Sequence, residues 1–152
     1  MEYRKVTEND VPLLVEMRLE MRRERETFPE PGDMQAFGKN MESYFRAAVA
    51  DGSYAGIIAE EEDRPAGTGG ICFHNHPPSY AVPNGRTACL LNMYTRPGFR
   101  GRGVASRILE LLTELAKESG CCKITLNASA AGKPLYLKHG FSEVANEMEL
   151  PL

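Results

Sequence analysis

The sequence predicts an α/β fold, on three observations. Short apolar or alternating runs of strand type are interleaved with stretches of helical period. Clusters of Gly, Pro and Asn punctuate them. One strongly amphipathic stretch, residues 104–115, follows directly on an apolar strand and a turn rich in Gly and Arg. The 152 residues are the length of one domain. A chain of that size buries about two-thirds of the surface it exposes when unfolded.

The elements follow in order. Tyr3 to Val6 reads as a first strand. Thr7 or Asp10 caps a helix that begins near Pro12, a residue suited to the first helical turn. Leu14, Met17 (with Arg18) and Met21 then recur at helical spacing. Phe28-Pro29-Glu30-Pro31-Gly32-Asp33 breaks that helix. A second helix carries Phe37, Met41, Tyr44, Phe45 and Ala48 on one face. Tyr54 to Glu60 and Ala66 to Phe73 form a hairpin across the turn Glu61 to Pro65. A loop with several Pro and Asn, His74 to Gly85, leads into a central strand from Arg86 to Thr95. Val104, Ile108, Leu111, Leu112 and Leu115 give the next helix its apolar stripe. Cys122 to Ala128 is a strand, Ala131 to His139 a short helix, and Phe141 to Leu150 a last strand. The order is therefore β-α-α-β-β-β-α-β-α-β.

The chemistry is concentrated in Arg96-Pro97-Gly98-Phe99-Arg100-Gly101-Arg102-Gly103-Val104-Ala105. A strand, a Gly- and Arg-rich turn and a helix start together hold phosphate. The first helical turn has unpaired N–H groups, and the helix dipole favours an anion there. Gly101 and Gly103 allow close approach to the main chain. Arg100 and Arg102 supply fork-shaped cationic donors.

Three phosphate loops compete. A Walker A loop requires Lys and a hydroxyl after its last Gly, where Val104 and Ala105 stand. A dinucleotide fingerprint requires Gly or Ala where Ser106 stands. The acyl-CoA pyrophosphate pattern R/Q-x-x-G-x-G/A is met at every specified position by Arg100 to Ala105.

A second motif lies one helix and one strand downstream, Gly132-Lys133-Pro134-Leu135-Tyr136-Leu137-Lys138-His139-Gly140-Phe141. The ordered pair, covering Leu90 to Phe141, resembles the GNAT superfamily of acyl-CoA-dependent N-acyltransferases. The resemblance implies a mixed, mostly antiparallel central sheet with helices on both faces. It implies an N-acetyltransferase that moves an acetyl group from acetyl-CoA, its co-substrate, to a primary amine by direct transfer through a tetrahedral intermediate, without a metal.

The same resemblance implies the site. The amides of Arg100, Gly101, Arg102, Gly103, Val104 and Ala105 would hold the diphosphate. Met93 and Thr95 would pair with the pantetheine arm as with an added strand. A main-chain N–H near Met93 or Tyr94, at a bulge in this strand, would face the thioester oxygen as charge develops there. Tyr136 stands at the general-acid position, to protonate the leaving thiolate. Ser129 replaces an Asn that in the family contacts pantetheine, and Gly132 replaces an Ala. Asn92 stands near the usual general-base Glu. Asn accepts no proton at neutral pH, so Asn92 either orients a water or satisfies a polar group of the strand. Glu20, Glu24, His74 and His76 are the other candidates for a base.

The acceptor pocket is expected between the first two helices and the 74–85 loop. Met17, Met21, Tyr44 and Tyr80 would line it, and Glu20, Glu24 and Glu26 would attract a cationic amine. The acceptor is a small-molecule or peptide amine. A CoA-sensing module without catalysis is the alternative, and a dinucleotide-binding domain a more distant one.

Composition narrows the partners. A formal charge of −3 gives no basic footprint for nucleic acid. No apolar run nears the roughly 18 residues of a membrane span, and the first residues have no signal-peptide core. The four Cys show no C-x-x-C spacing, which suits a reducing cytoplasm. His74-Asn75-His76 lacks a third ligand at a recognised spacing, so no metal is expected. His139 before Gly140 reads as a helix end. A homodimer is expected from the resemblance, and sheet edges need cover.

Overall fold

The computed structural model describes residues 1–25, 31–144 and 148–151. In chain order its elements are β1 (Glu2–Lys5), α1 (Val11–Arg25), α2 (Pro31–Ala50), β2 (Tyr54–Glu61), β3 (Arg64–Asn75), β4 (Arg86–Thr95), α3 (Val104–Glu118), β5 (Ile124–Thr125) and α4 (Lys133–Lys138). Single 3-10 turns precede α1 (Glu8–Asp10) and α3 (Pro97–Phe99). The sheet order is β1-β2-β3-β4-β5, antiparallel except for the parallel pair β4–β5.

Helices cover both faces. Against α3, the sheet buries Ile57, Ile71 and Leu90 with Val104, Ile108, Leu109 and Leu112. Leu111 and Leu115 flank that cluster half-buried, so α3 is rolled by one residue from the stripe read in the sequence. The other face packs Val11, Leu14, Met41, Phe45 and Tyr54 together, with Met17 and Met21 against Tyr94.

Three boundaries differ from the sequence reading. The β2–β3 turn is tighter than expected, because Glu62 and Asp63 both take positive φ (52° and 59°), the geometry of a two-residue hairpin. Glu at such a position is no turn signal. The break expected at residues 28–33 lies partly outside the described residues, and α2 already begins at Pro31, a residue preorganised for that place.

The third difference is at the C-terminal end. Only Ile124–Thr125 of the strand expected at 122–128 forms, and α4 is shorter than expected at 131–139. The last expected strand is absent from 141–144 and 148–150, and residues 145–147 lie outside the described residues. A strand needs a neighbouring edge to pair with, and two residues of β5 offer almost none. Val144, Met148 and Leu150 are exposed accordingly.

The start of α1 is fixed by charge. Arg4 on β1 donates two bonds of 2.8 Å to Asp10, one to each carboxylate oxygen. The Thr7 N–H and hydroxyl donate to Asp10 Oδ2, both at 2.8 Å. The Arg4 bonds first, then those of Thr7, hold the Asp10 carboxyl at about 2, below its ordinary 3.8, against the effect of burial. A carboxyl depressed in the folded state stabilises fully above its unfolded value and loses that contribution as the pH falls through the folded one. Urea midpoints measured from pH 5 down to 2 should show a loss of about 2 kcal/mol in the wild type between roughly pH 4 and 2. Asp10→Asn should lack that part of the decline.

Candidate active site

β4 carries the first feature of the site. In the β3–β4 ladder Thr68 pairs with Tyr94, but Gly70 pairs with Leu91. Gly69 therefore opposes both Asn92 and Met93, a β-bulge. Asn92 takes φ = 57°, a conformation that Asn tolerates better than most side chains. The bulge sits where the resemblance implied.

Two bare glycines make room for it. A Cβ on Gly69 would lie 2.4 Å from Met93 Sδ, and one on Gly70 2.1 Å from Tyr54 Oη. Asn92 is buried, and its Oδ1 accepts a bond from Arg18 of α1. Its amide nitrogen adjoins the Tyr54 hydroxyl, although neither Asn92 Nδ2 nor Tyr54 Oη completes a hydrogen bond of normal geometry. The partner of Asn92 Oδ1 is thus a side chain of α1, not a polar group of the strand.

The outer edge of β4 is the second feature. β5 pairs with it only at Ala88 and Cys89. From Leu90 onward no strand among the described residues lies beside that edge, which leaves main chain for an extended ligand. Thr95 Oγ1 is buried and unpaired, while the Thr95 carbonyl accepts from Arg100 Nε at 2.9 Å.

The loop is the third. Gly101 and Gly103 have φ of 74° and 79°, and a Cβ on either would meet nothing within 4 Å. Among the described residues, the amides from Gly101 to Ser106 make no backbone hydrogen bond of good geometry, and Arg107 N–H, bonding Gly103 O, is the first that does. Val104 is buried and anchors this turn to the sheet. A run of amides without backbone partners at a helix start suits a diphosphate. The residues present therefore fit a coenzyme held by its phosphates.

The loop's arginines are engaged elsewhere. Arg100 pairs with Glu24 at 2.6 Å and lies over the Tyr94 ring, and Arg102 pairs with Glu61 at 2.5 Å and lies over Phe99. Arg96 holds Glu16 and Glu20 at 2.6 and 2.7 Å. Tyr94 donates to Glu24 at 2.8 Å; burial, then that bond, pushes its hydroxyl up to about 12. Glu20 and Glu24, expected as bases or as attractors of a cationic amine, are thus tied to the loop, and Glu26 lies outside the described residues.

Tyr136 stands half-buried on α4, edge-on to Phe141 with ring centres 5.8 Å apart. It lines an open cleft of about 920 Å³ bounded by residues 123–128 and 139–144. The bulge and the loop at 96–103 are not among that cleft's walls. Ser129 Oγ and its carbonyl accept from Gly132 N–H at 3.2 and 3.0 Å, which turns the chain into α4. His139 Nε2 lies 2.5 Å from Ser106 Oγ and so ties the end of α4 to the first turn of α3.

His74 and His76 are exposed, at the far end of β3, their rings 6.2 Å apart. His74 pairs with Thr87, five residues before Asn92, or about 17 Å along the strand. That distance removes both as bases at the bulge. No group of three or more potential metal ligands occurs among the described residues, and no helix among them is long and apolar enough to cross a membrane.

The cavity found between α1 and α2 differs in lining from the acceptor pocket expected there. A cavity of about 300 Å³ is walled by Arg18, Asn40, Met41, Tyr44, Phe45 and Leu91. Met17 and Met21 are instead buried against Tyr94, and Tyr80 is fully exposed.

The model of the acetyltransferase (GNAT) family matches residues 17–141. The chain belongs to that family. It is 34% identical to a predicted acetyltransferase from Clostridium acetobutylicum, solved with acetyl-CoA, with a TM-score of 0.90 over 99% of this chain and 95% of that one. It is 28% identical to a GCN5-related N-acetyltransferase from Ralstonia eutropha JMP134, with a TM-score of 0.89 over 99% and 97% of the two chains. A probable glucosamine 6-phosphate N-acetyltransferase 2 of Oryza sativa subsp. japonica is 39% identical over 34% of this chain. A thialysine N-epsilon-acetyltransferase of Bos taurus is 35% identical over 32% of it. The matched stretch spans 31% and 28% of the lengths of these two curated relatives.

Within this GNAT site, the link from Arg18 to Asn92 and the pairing of the α1 acids with the loop were not read from the sequence. Glu16, Glu20 and Glu24 recur every fourth residue, which was a usable signal. Two outcomes check the geometry. Gly103→Val would place a branched side chain at φ = 79° beside those amides; CoA affinity by calorimetry should fall about tenfold or more, equivalent to one or two lost charge-assisted bonds. Gly70→Ala should lower stability by about 1–3 kcal/mol in urea titration, since its Cβ collides with the Tyr54 ring.

Proposed function

We propose that this protein is an N-acetyltransferase that moves an acetyl group from acetyl-CoA directly to the primary amine of a small acceptor. The single observation that carries the reading is the row of amides without backbone partners from Gly101 to Ser106, beside a β4 edge left open beyond Cys89. Family membership and the related structure solved with acetyl-CoA support it. Small amines named for the curated relatives, glucosamine 6-phosphate and thialysine, support the acceptor class.

In this reading the loop amides bind and orient the coenzyme, and the main chain of Met93 and Thr95 pairs with its arm. The bound acyl-CoA supplies an activated thioester. The main-chain N–H at the bulge faces the oxygen on which charge develops. Tyr136 gives its proton to the departing thiolate. Asn92 takes no proton; it holds the bulge through Arg18. The amine's proton then passes to water, and the acceptor reacts as its free base.

Asn92, in place of a strand carboxylate, is the observation favouring a second reading, a CoA-binding module without catalysis. Thiol release from acetyl-CoA over a panel of amines decides between them. Activity should be found, and Tyr136→Phe should lower kcat about 100-fold while CoA affinity stays within twofold. Undiminished kcat in that variant removes Tyr136 as the acid. Tight CoA binding with no thiol release for any amine supports the binding module.

The four free cysteines support a reducing cytoplasm as the setting. Exposed Val144, Met148 and Leu150 support a homodimer, which sedimentation velocity measures.

A further inference from the structure

We infer that Cys72 and Cys89 form a thiol–disulfide site: the pair closes into a bond across β3 and β4 by exchange with a small disulfide, and closing it alters the cavity beside Tyr44. The part that concerns turnover rests on the acetyl-transfer reading. The part that concerns the bond does not.

Register puts the two residues together. Cys72 on β3 and Cys89 on β4 are direct partners in an antiparallel ladder. Side chains of direct partners leave the sheet on the same face. Here that face is the α2 side, where Cys72 packs on the Phe45 and Tyr54 cluster together with Leu91, two residues on from Cys89.

The ladder also sets their spacing. Phe73 N–H bonds Ser53 O, toward β2, and Ala88 N–H bonds Lys123 O, toward β5. Their neighbours Cys72 and Cys89 therefore turn their main-chain groups toward each other, as a hydrogen-bonded pair with Cα atoms about 5.5 Å apart. A disulfide spans that Cα separation, but its Cβ atoms stand about 3.8 Å apart, closer than such a pair holds them. The bond must draw the strands together, and a bond strained in this way is readily reduced.

Both thiols are half-buried and unjoined. Cys72 Sγ lies 2.9 Å from the hydroxyl of Tyr44, a half-exposed residue. Burial raises the Cys72 thiol above its ordinary value, against the opposing effect of the Tyr44 hydroxyl. A thiol held protonated suits the second step of exchange. In the first step the Cys89 thiolate attacks one sulfur of the small disulfide, a mixed disulfide forms, and one small thiolate leaves. The Cys72 thiolate then attacks the Cys89 sulfur, the protein disulfide forms, and the second small thiolate leaves. Two protein thiols are oxidised, one small disulfide is reduced to two thiols, and the two protons pass through water to the departing thiolates.

The new bond takes Cys72 Sγ from Tyr44. Tyr44 walls the cavity that also includes Leu91, the neighbour of Asn92. The loop before α3 lies across the sheet, on the face where Val104 packs, and is left as it was.

The test begins with the protein equilibrated with oxidised glutathione, alkylated and digested with trypsin. Trypsin places Cys72, Cys89 and the Cys121–Cys122 pair on three peptides. Mass spectrometry should find the Cys72 and Cys89 peptides joined, and excess reduced glutathione should part them. Cys72→Ser should trap the first step as a Cys89–glutathione adduct. Thermal melting reports whether each variant is folded. Turnover is read on the oxidised protein, freed of glutathione, as initial rates of acetylated amine by mass spectrometry. The kcat/KM for the amine should fall about fivefold, the scale of one lost hydrogen bond, while affinity for acetyl-CoA, which carries no free thiol, stays within about twofold. Cys89→Ser should show no such fall.

Absence of the joined peptides, a bond that involves Cys121 or Cys122 instead, or a bond that resists excess reduced glutathione overturns the site. A joined pair with unchanged kcat/KM overturns its hold on the cavity. A joined pair in a protein that acetylates no amine supports the site and counts against acetyl transfer, so the two readings fail separately.

Discussion

Gly69 faces two residues of β4 where an ordinary ladder would give it one, and the placing of the whole site follows from that mismatch. The extra residue takes a left-handed conformation, so the main chain rotates at Asn92 and the strand's edge turns away from the regular ladder. The rotation is stable because its surroundings are built for it. Gly69 leaves space for the Met93 thioether, and Gly70 leaves space for the Tyr54 ring. Arg18 reaches from α1 to the Asn92 side chain. The outer edge is free at the same level because β5 leaves after two paired residues.

α1 links the two halves of the site by its four-residue stripes. Glu16, Glu20 and Glu24 meet the arginines of the loop, Met17 and Met21 pack on Tyr94, and Arg18 holds the bulge. The ion pairs are partly exposed, and such pairs contribute little to stability singly. Their larger effect is on the loop's character. Arg96, Arg100 and Arg102 are each balanced by a carboxylate. Anion recognition then depends on main-chain geometry more than on net charge.

Much of the fold was legible because periodicity and punctuation agree in this chain. The central strand matched its reading from Arg86 to Thr95, and the helix after it began at Val104 as read. The loop was legible because glycines at positive φ between a strand and an amphipathic helix have few structural alternatives. The end of the chain was not. Apolar residues at 141, 144, 148 and 150 suggest a strand, but pairing depends on a neighbour, and β5 is too short to provide one. The role of Arg18 was hidden for a related reason. Its partner lies 74 residues away, and no local pattern marks a single cation on a helix as belonging to a strand. The histidines misled because residue type suggested proton chemistry, whereas register set them far along the sheet.

In the proposed reading, the coenzyme side and the acceptor side meet along β4. The phosphate-holding turn belongs to α3, whereas the pocket wall formed by Asn40, Met41 and Tyr44 belongs to α2. On that reading, a substitution on α2 would reshape the chamber for the acceptor while the amide cradle keeps its form. So read, the architecture separates donor from recipient, and what is modified could change through one helix without rebuilding how the modifying group is held.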